Sequence, residues 1–416
     1  MKARFIGLLL LVLSLMYFGA LTGQASEKFS VNGYYKSFMV CYELPDIGDS
    51  LLSVDLPPLG SVVNRLRINA DWRPNDWLSI NFAYDLAPTV QDHLLFSYQP
   101  TAMTSPAEGY RFDDLKPRLY PDPDDPVASF GLYHNLDRAN VTIRLDFADV
   151  TIGRQPIAFG SARVINPTDI LTPYSYGTLD TEDRLGIDAV RVQAPLGFMG
   201  ELDAGVVAGD DFDSEESAAY LRAKYYLFRT DVSVIALAFR ENLLIGLDMA
   251  RSVGGAGVWL EAAQVYVNSF ADRDQYADDY TRLSAGFDYA FSGESYFFCE
   301  YHFNGPGTNK AEEYATNSVQ TAYLEGATYL MGKHYLTPGM SYQITPLLTS
   351  DVELLTNLSD PSTYLLVSAE YNLAPNVYLT GGMYTGIGRS LSDRLEYRSE
   401  FGAYPDLFFS SFRWYW

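Results

Sequence analysis

The chain of 416 residues has only two cysteines and four histidines. After residue 25 it has no apolar run near the roughly 20 residues that a membrane-crossing helix needs. Each shortage excludes something. Without long apolar runs, a helical membrane protein is ruled out. With Cys41 and Cys299 alone there is no Cys-x-x-Cys-His, so no covalently attached haem and no other cofactor is expected. No cysteine follows the apolar N-terminal stretch directly, which argues against a lipoprotein. Cys41 and Cys299 either pair in an oxidising compartment or stay as two packed thiols. The histidines, His93, His134, His302 and His334, are scattered. Strand parity sets Glu300 beside His302, but no nucleophile neighbours them in sequence, so an enzyme is not expected. Basic residues are also scarce: 29 Lys plus Arg stand against 52 Asp plus Glu, a net charge of -23. Phosphate backbones attract Lys and Arg, so a nucleic-acid partner is disfavoured. A cationic solute or a cation-rich environment suits the balance better.

Aromatic residues are abundant, with 32 Tyr and 24 Phe. Hydrophobic residues reach 48%, yet the mean hydropathy is -0.07. Apolar and polar residues are therefore interleaved rather than blocked. At the N-terminus, Lys2 and Arg4 precede an apolar run from Phe5 to Phe18, and Gly23-Gln24-Ala25 offers small residues for cleavage. This pattern reads as a secretory signal peptide over residues 1–25, with residues 26–416 as the mature domain.

The dominant signal is alternation with period two over segments of about ten residues. In Tyr280 to Ala290, Leu283, Ala285, Phe287 and Tyr289 share one face, and Arg282, Ser284, Gly286 and Asp288 the other. Val141 to Phe147 and Asp76 to Leu86 behave alike. Apolar faces often begin or end on an aromatic, as an interfacial girdle requires. Tight turns are expected at Pro74-Asn75, Pro195-Leu196-Gly197, Arg229-Thr230, Ser292-Gly293 and Pro375-Asn376. They alternate with long loops near residues 43–60, 87–138, 160–186, 305–333 and 387–402. The expected fold is all-β: one transmembrane antiparallel β-barrel of about eighteen strands, with sixteen as the alternative. Residues 312–333 read either as a folded loop or as another strand pair. A barrel follows because hydrocarbon cannot satisfy a free sheet edge. The last segment, Phe408 to Trp416, sets Phe408, Phe412, Trp414 and Trp416 against Phe409, Ser411, Arg413 and Tyr415. A soluble chain ending this way would expose too much aromatic surface. An even strand number places both ends on the periplasmic side, with long loops outside.

One passage carries a motif: Gly153-Arg154-Gln155, then Arg163-Val164-Ile165-Asn166-Pro167-Thr168-Asp169, then Asp188-Ala189-Val190-Arg191. Over residues 150–192 it resembles porin-like outer-membrane barrels of Gram-negative bacteria. The pairing of Gly-Arg-Gln with Asp-Ala-x-Arg is similar to that of alginate-export barrels. The resemblance implies an integral outer-membrane channel in contact with lipid and lipopolysaccharide. An exporter of an anionic polyuronate would need a basic lumen, and the acid excess argues against that solute.

Residues 160–185 form a long loop restricted by Pro167 and Pro173, and loops of that length in compact folds are commonly functional. It is expected either to fold into the lumen and narrow it or to stay on the surface with its charges paired locally. Its charged residues are Arg163, Asp169, Asp180, Glu182, Asp183 and Arg184. Parity adds further lumen candidates: Arg65 and Arg67 with Asn69 and Asp71, Arg144, Arg154 and Arg191, Arg222 and Lys224, and Arg282. Acidic or mixed rows are Glu201 with Asp203, Asp351 with Glu353, and Glu300 with His302. Such rows make a transverse field that selects solutes, or simply a balanced polar wall. The acidic loops Pro121–Asp125 and Asp210–Glu216 match no calcium loop and read as solvated charge, so no metal site is expected. The functional expectation is a porin for passive diffusion of small hydrophilic solutes, weakly cation-selective, alone or as a homotrimer. The alternative is a barrel sheath for periplasmic and surface partners, such as a porin–cytochrome conduit.

Overall fold

The computed structural model describes residues 28–45, 57–97, 109–112, 114–213, 215–271, 278–392 and 394–416. The expected signal peptide lies outside them, as do parts of the long loops near residues 43–60 and 87–138. The strands are β1 (Phe29–Glu43), β2 (Leu59–Asn75), β3 (Leu78–Gln91), β4 (Arg118–Tyr120), β5 (Phe130–Arg144), β6 (Asp149–Gln155), β7 (Ile187–Leu196), β8 (Gly200–Val207), β9 (Ala218–Leu227), β10 (Thr230–Phe239), β11 (Asn242–Val253), β12 (Ala256–Tyr266), β13 (Tyr280–Ser292), β14 (Ser295–Asn304), β15 (His334–Thr345), β16 (Leu348–Asn357), β17 (Ser362–Ala374), β18 (Val377–Ile387) and β19 (Asp406–Tyr415). All except the three-residue β4 form one closed antiparallel barrel of eighteen strands, each paired with its neighbours in sequence. β19 returns to β1, with Tyr415 opposite Tyr34 and Phe408 opposite Cys41. β4 adds to the part of β5 that β6 is too short to reach.

Alternation decides the two faces. On β13 the outward Phe287 is 45% exposed, whereas Arg282 and Ser284 on the inward face are buried. Phe408, Met340 and Val352 likewise point outward. An apolar outer surface and a polar inner one is the inverse of a soluble protein, and it is the arrangement a lipid-embedded barrel needs. The ends close tightly: Gly33 and Trp416 exchange backbone hydrogen bonds. A side chain at Gly33 would collide with the Arg67 carbonyl and the Trp416 indole.

Short turns gather on the rim that holds both chain ends, and long connections on the other. Two connections on the long-loop rim are nevertheless short, residues 240–241 and 358–361. β5 begins at Phe130, eight residues earlier than the alternation around Val141 suggested, because a bulge opposite Ala83 and Tyr84 shifts its parity. Residues 312–333 form no strand pair; they fold into short helical turns at Ala311–Glu313, Tyr314–Asn317 and Thr321–Leu324. The thiols of Cys41 and Cys299 are free, on the non-adjacent strands β1 and β14.

Long connections turn inward. One apolar cluster packs Ile157, Phe159, Ile170 and Leu171 of the 156–186 connection against inner-wall residues of β7 to β13. A second packs Tyr335, Leu355, Tyr364, Tyr384 and Phe401 with Tyr176 and Leu179 of the same connection. The core of this barrel thus lies inside its wall, between strands and inserted loops.

Candidate functional site

Between β6 and β7 the chain forms a strap that crosses the lumen. At its start Gly160 has φ +95, and a side chain there would strike the Glu261 carboxylate. The first arm presents N–H donors to two wall carboxylates. Glu261 on β12 accepts from Ala162 N at 3.1 Å, Thr168 N at 2.8 Å and Thr168 Oγ1 at 2.7 Å. Glu300 on β14 accepts from Arg163 N at 2.8 Å, Val164 N at 3.3 Å, Ile165 N at 3.0 Å and the Trp259 indole N–H at 2.9 Å. Both glutamates are buried. Ser284 of β13 donates to the Ile165 carbonyl at 2.6 Å. Buried carboxylates need such donors, and the strap's backbone supplies them.

The second arm reverses the charges. Here the strap supplies carboxylates and the wall supplies cations. Lys36 of β1, fully buried, bonds Asp180 at 2.7 Å and Glu182 at 2.7 Å. Arg65 of β2 bonds Asp180 at 3.0 Å, and Asp183 accepts from Tyr34 Oη at 2.6 Å. Tyr415 of β19 donates to Glu182 at 2.6 Å. Burial works against the Asp180 charge, but the Lys36 ammonium and Arg65 guanidinium hold its carboxyl below the usual range. The two anchors, on β12–β14 and on β19–β1–β2, are about two-fifths of the circumference apart in the strand order.

Within the strap, Arg184 binds Asp169 and the Thr172 carbonyl and lies over the Tyr174 ring. Burial pushes Asp169 up to about 6 even so. Of the other expected residues, Arg163 stacks over Trp259 and Tyr296 and pairs with Asp288 of β13. Arg67 joins Asp137 at 2.7 Å and Asp85 at 3.2 Å, and lies 3.8 Å from Asp183. Arg191 and Arg222 share Asp203, and Arg222 also holds Glu201 at 2.6 Å. Lys224 is 3.8 Å from Asp231. Arg144 donates to Ser79 Oγ near the short-turn rim. Arg282 is buried and donates to the Gly326 carbonyl at 3.2 Å.

Arg154 is a correction. It faces Asp188 in register, whereas Arg191 faces Thr151, three residues away and therefore on the opposite face. Arg154 shares the side of the exposed Ile152 and pairs with Asp188 and Asp114 at the long-loop rim. The strap charges combine the two expected arrangements: the loop turns inward, and Asp169, Asp180, Asp183 and Arg184 are engaged by partners. The acidic turn Pro121–Asp125 carries its own cation. The Arg118 guanidinium takes the carbonyls of Asp122, Pro123 and Asp125. No grouping of potential metal ligands occurs among the described residues.

The anchors Lys36 and Glu261, and the Arg67 partner Asp137, were not singled out from sequence. Parity would have placed Lys36 and Glu261 inward; nothing local says that a strap residue meets them. On the short-turn side of the strap lies a cavity of about 800 Å³ lined by Arg163, Trp259, Asp288, Arg251, Arg229 and Tyr226.

No family model matches the chain, and no curated protein does. Among solved structures it is similar to OccK1 (OpdK) of Pseudomonas aeruginosa, at 12% identity and a TM-score of 0.55, over 94% of this chain and 99% of that one. It is similar to OpdK of the same organism solved with vanillate, at 12% identity and a TM-score of 0.54, over 93% and 98%. A triple mutant of the Rhodopseudomonas blastica porin aligns at 13% identity and a TM-score of 0.44, over 93% and 100%. At these identities the likeness is one of fold: a porin-like barrel.

Proposed function

We propose that the chain is an integral outer-membrane channel for passive diffusion of small hydrophilic solutes, weakly cation-selective, with residues 160–185 as its constriction. On this reading residues 1–25 are the leader that sends it across the inner membrane. The observation that carries the proposal is the strap, tied to wall carboxylates at one end and wall cations at the other. A barrel of this size without a strap is a wide aqueous pore, and a crossing loop narrows it. The fold likeness to OccK1 and OpdK, the latter solved with vanillate, agrees with a small-solute channel. Cation preference is supported by the long-loop rim, where Asp210, Asp211, Asp213, Glu215 and Glu216 follow one another with no Lys or Arg between β8 and β9. A focused negative potential at a mouth concentrates cations. A strap bonded across the lumen leaves little room for a protein threaded through it, which weighs against the sheath reading.

Planar-bilayer recording tests this. The folded wild type conducts, and replacing residues 162–183 with a short Gly-Ser link raises conductance several-fold. Without the strap, Glu261, Glu300, Lys36 and Arg65 face water instead of an unpaired interior, so the barrel remains viable. Equal conductance in the two forms would remove the constriction, and silence in both would remove the channel.

A further inference from the structure

We infer that Asp351 and Glu353 on β16 are the residues that set charge selection in the lumen, by attracting cations along the β15–β17 wall. The inference rests on the channel reading above. Both side chains lie on the inner face, Asp351 four and Glu353 two residues from the fully buried Leu355, while Val352 between them points outward. In register, Asp351 stands opposite Ser341 and Ser368, and Glu353 opposite Gly339 and Leu366. The Phe298 ring lies across Gly339, and the Phe409 ring lies over Gly382, which pairs with Ser368. The in-register neighbours are thus a glycine, serine hydroxyls and an aliphatic side chain, with aromatic rings alongside, and the charges that Glu353 feels are the like-charged carboxylates of Glu300 and Asp351.

No cation is at hand to neutralise the pair. From Lys333 to Arg389 the chain contains no Lys or Arg, and that interval holds the whole of β15 to β18. Neither carboxylate makes an ion pair or a side-chain hydrogen bond among the described residues. The other inward acids of this side are already engaged: Glu370 holds Arg413, and Glu300 holds the strap. Strap carboxylates are consumed by Lys36 and Arg65. On the far wall, Arg191 and Arg222 are matched by Asp203 and Glu201. Glu261 and Glu300 also lack a cation, but their oxygens are tied up by strap donors. Asp351 and Glu353 are the inward carboxylates of the β15–β17 wall that have neither a cation nor a donor among the described residues. Tyr176 of the strap packs against Tyr364 and Tyr384, so a solute passing on this side meets the two carboxylates next.

A unit charge about 5 Å from a hydrated path changes local ion occupancy roughly fourfold in a water-like dielectric, and about two- to threefold once salt screening is included. The experiment is reversal potential across a KCl gradient at about pH 8, above the ordinary carboxylate range. We compare wild type, Asp351→Asn with Glu353→Gln, Glu353→Asp, and Glu313→Gln in the long-loop region as a control. The expected result is a loss of about threefold or more in the K⁺/Cl⁻ permeability ratio for the double variant, with Glu353→Asp and Glu313→Gln near wild type. A folded, conducting double variant with unchanged selectivity overturns the inference and leaves the channel standing. Equal loss in Glu353→Asp overturns it too, since shape rather than charge would then be responsible. A folded wild type that does not conduct overturns the channel and this inference together.

Discussion

Replacing Glu300 by glutamine tests whether wall carboxylates hold the strap. The carboxylate has one oxygen toward Arg163 N (2.8 Å) and the Trp259 indole (2.9 Å) and the other toward Ile165 N (3.0 Å). Glutamine keeps the volume but turns one oxygen into an N–H donor. Whichever way the amide flips, that donor faces another donor. The least costly orientation sacrifices the Ile165 bond, and a hydrogen bond to a charged group is worth about 1.5–3 kcal/mol. Glu261 keeps its own bonds to Ala162 and Thr168, so the strap loosens between two fixed points rather than leaving the lumen. A loss of about 2 kcal/mol raises the local opening equilibrium roughly 30-fold. Amide hydrogen exchange at Arg163, Val164 and Ile165 is expected to accelerate by about that factor, while strand amides of β12 and β14 stay protected. Open-channel current noise is expected to rise in parallel. Unchanged exchange at these three amides would refute the idea that Glu300 is the anchor.

At the other anchor, Lys36→Met leaves Asp180 with Arg65 alone and Glu182 without its cation. Because Asp180 keeps Arg65 and Glu182 is 43% exposed, the cost falls below the roughly 3–5 kcal/mol of a fully buried pair, so a modest fall in the thermal unfolding midpoint in detergent is expected, and a shift within error would count against the pairing. Loop 388–404 offers a pH test through Glu400, which accepts hydrogen bonds from Tyr335 Oη, Asn357 Nδ2 and Met331 N. Burial pushes Glu400 up to about 7 despite those donors. Its folded-state pKa is raised, so the packed loop holds its proton longer than the open one. Loop stability is therefore greatest below the ordinary carboxylate range, near pH 4.5, and falls as pH rises towards 7. The loss is at most about 3 kcal/mol. Protease protection of this loop is expected to weaken over that window, and strengthening protection would show the sign to be wrong.

How much was legible can be judged residue by residue. The inward row Arg65, Arg67 and Asn69 and the outward row Leu283, Ala285 and Phe287 could be read directly, because side-chain direction along a strand depends only on parity. The strand count and the two rims followed from the same alternation broken by Pro, Gly and Asn. Parity failed where the backbone departed from it. The bulge beside Tyr84 lengthened β5, and Arg154 was grouped with Arg191 across an odd interval. Residues 312–333 had no clean period, and they became short helical turns.

The sequence alone therefore determined a closed barrel with an apolar skin, a polar interior and a long insertion after Gly153-Arg154-Gln155, since these depend on neighbours one to ten positions apart. Only the tertiary structure decided where the insertion goes and which charges it cancels. Asp180 meets Lys36 across 144 positions, and Arg163 N meets Glu300 across 137. Such pairings arise from barrel closure, which brings distant strands around one lumen, and no local periodicity encodes which inward carboxylate will find a strap and which, like Glu353, will be left without a partner among the described residues.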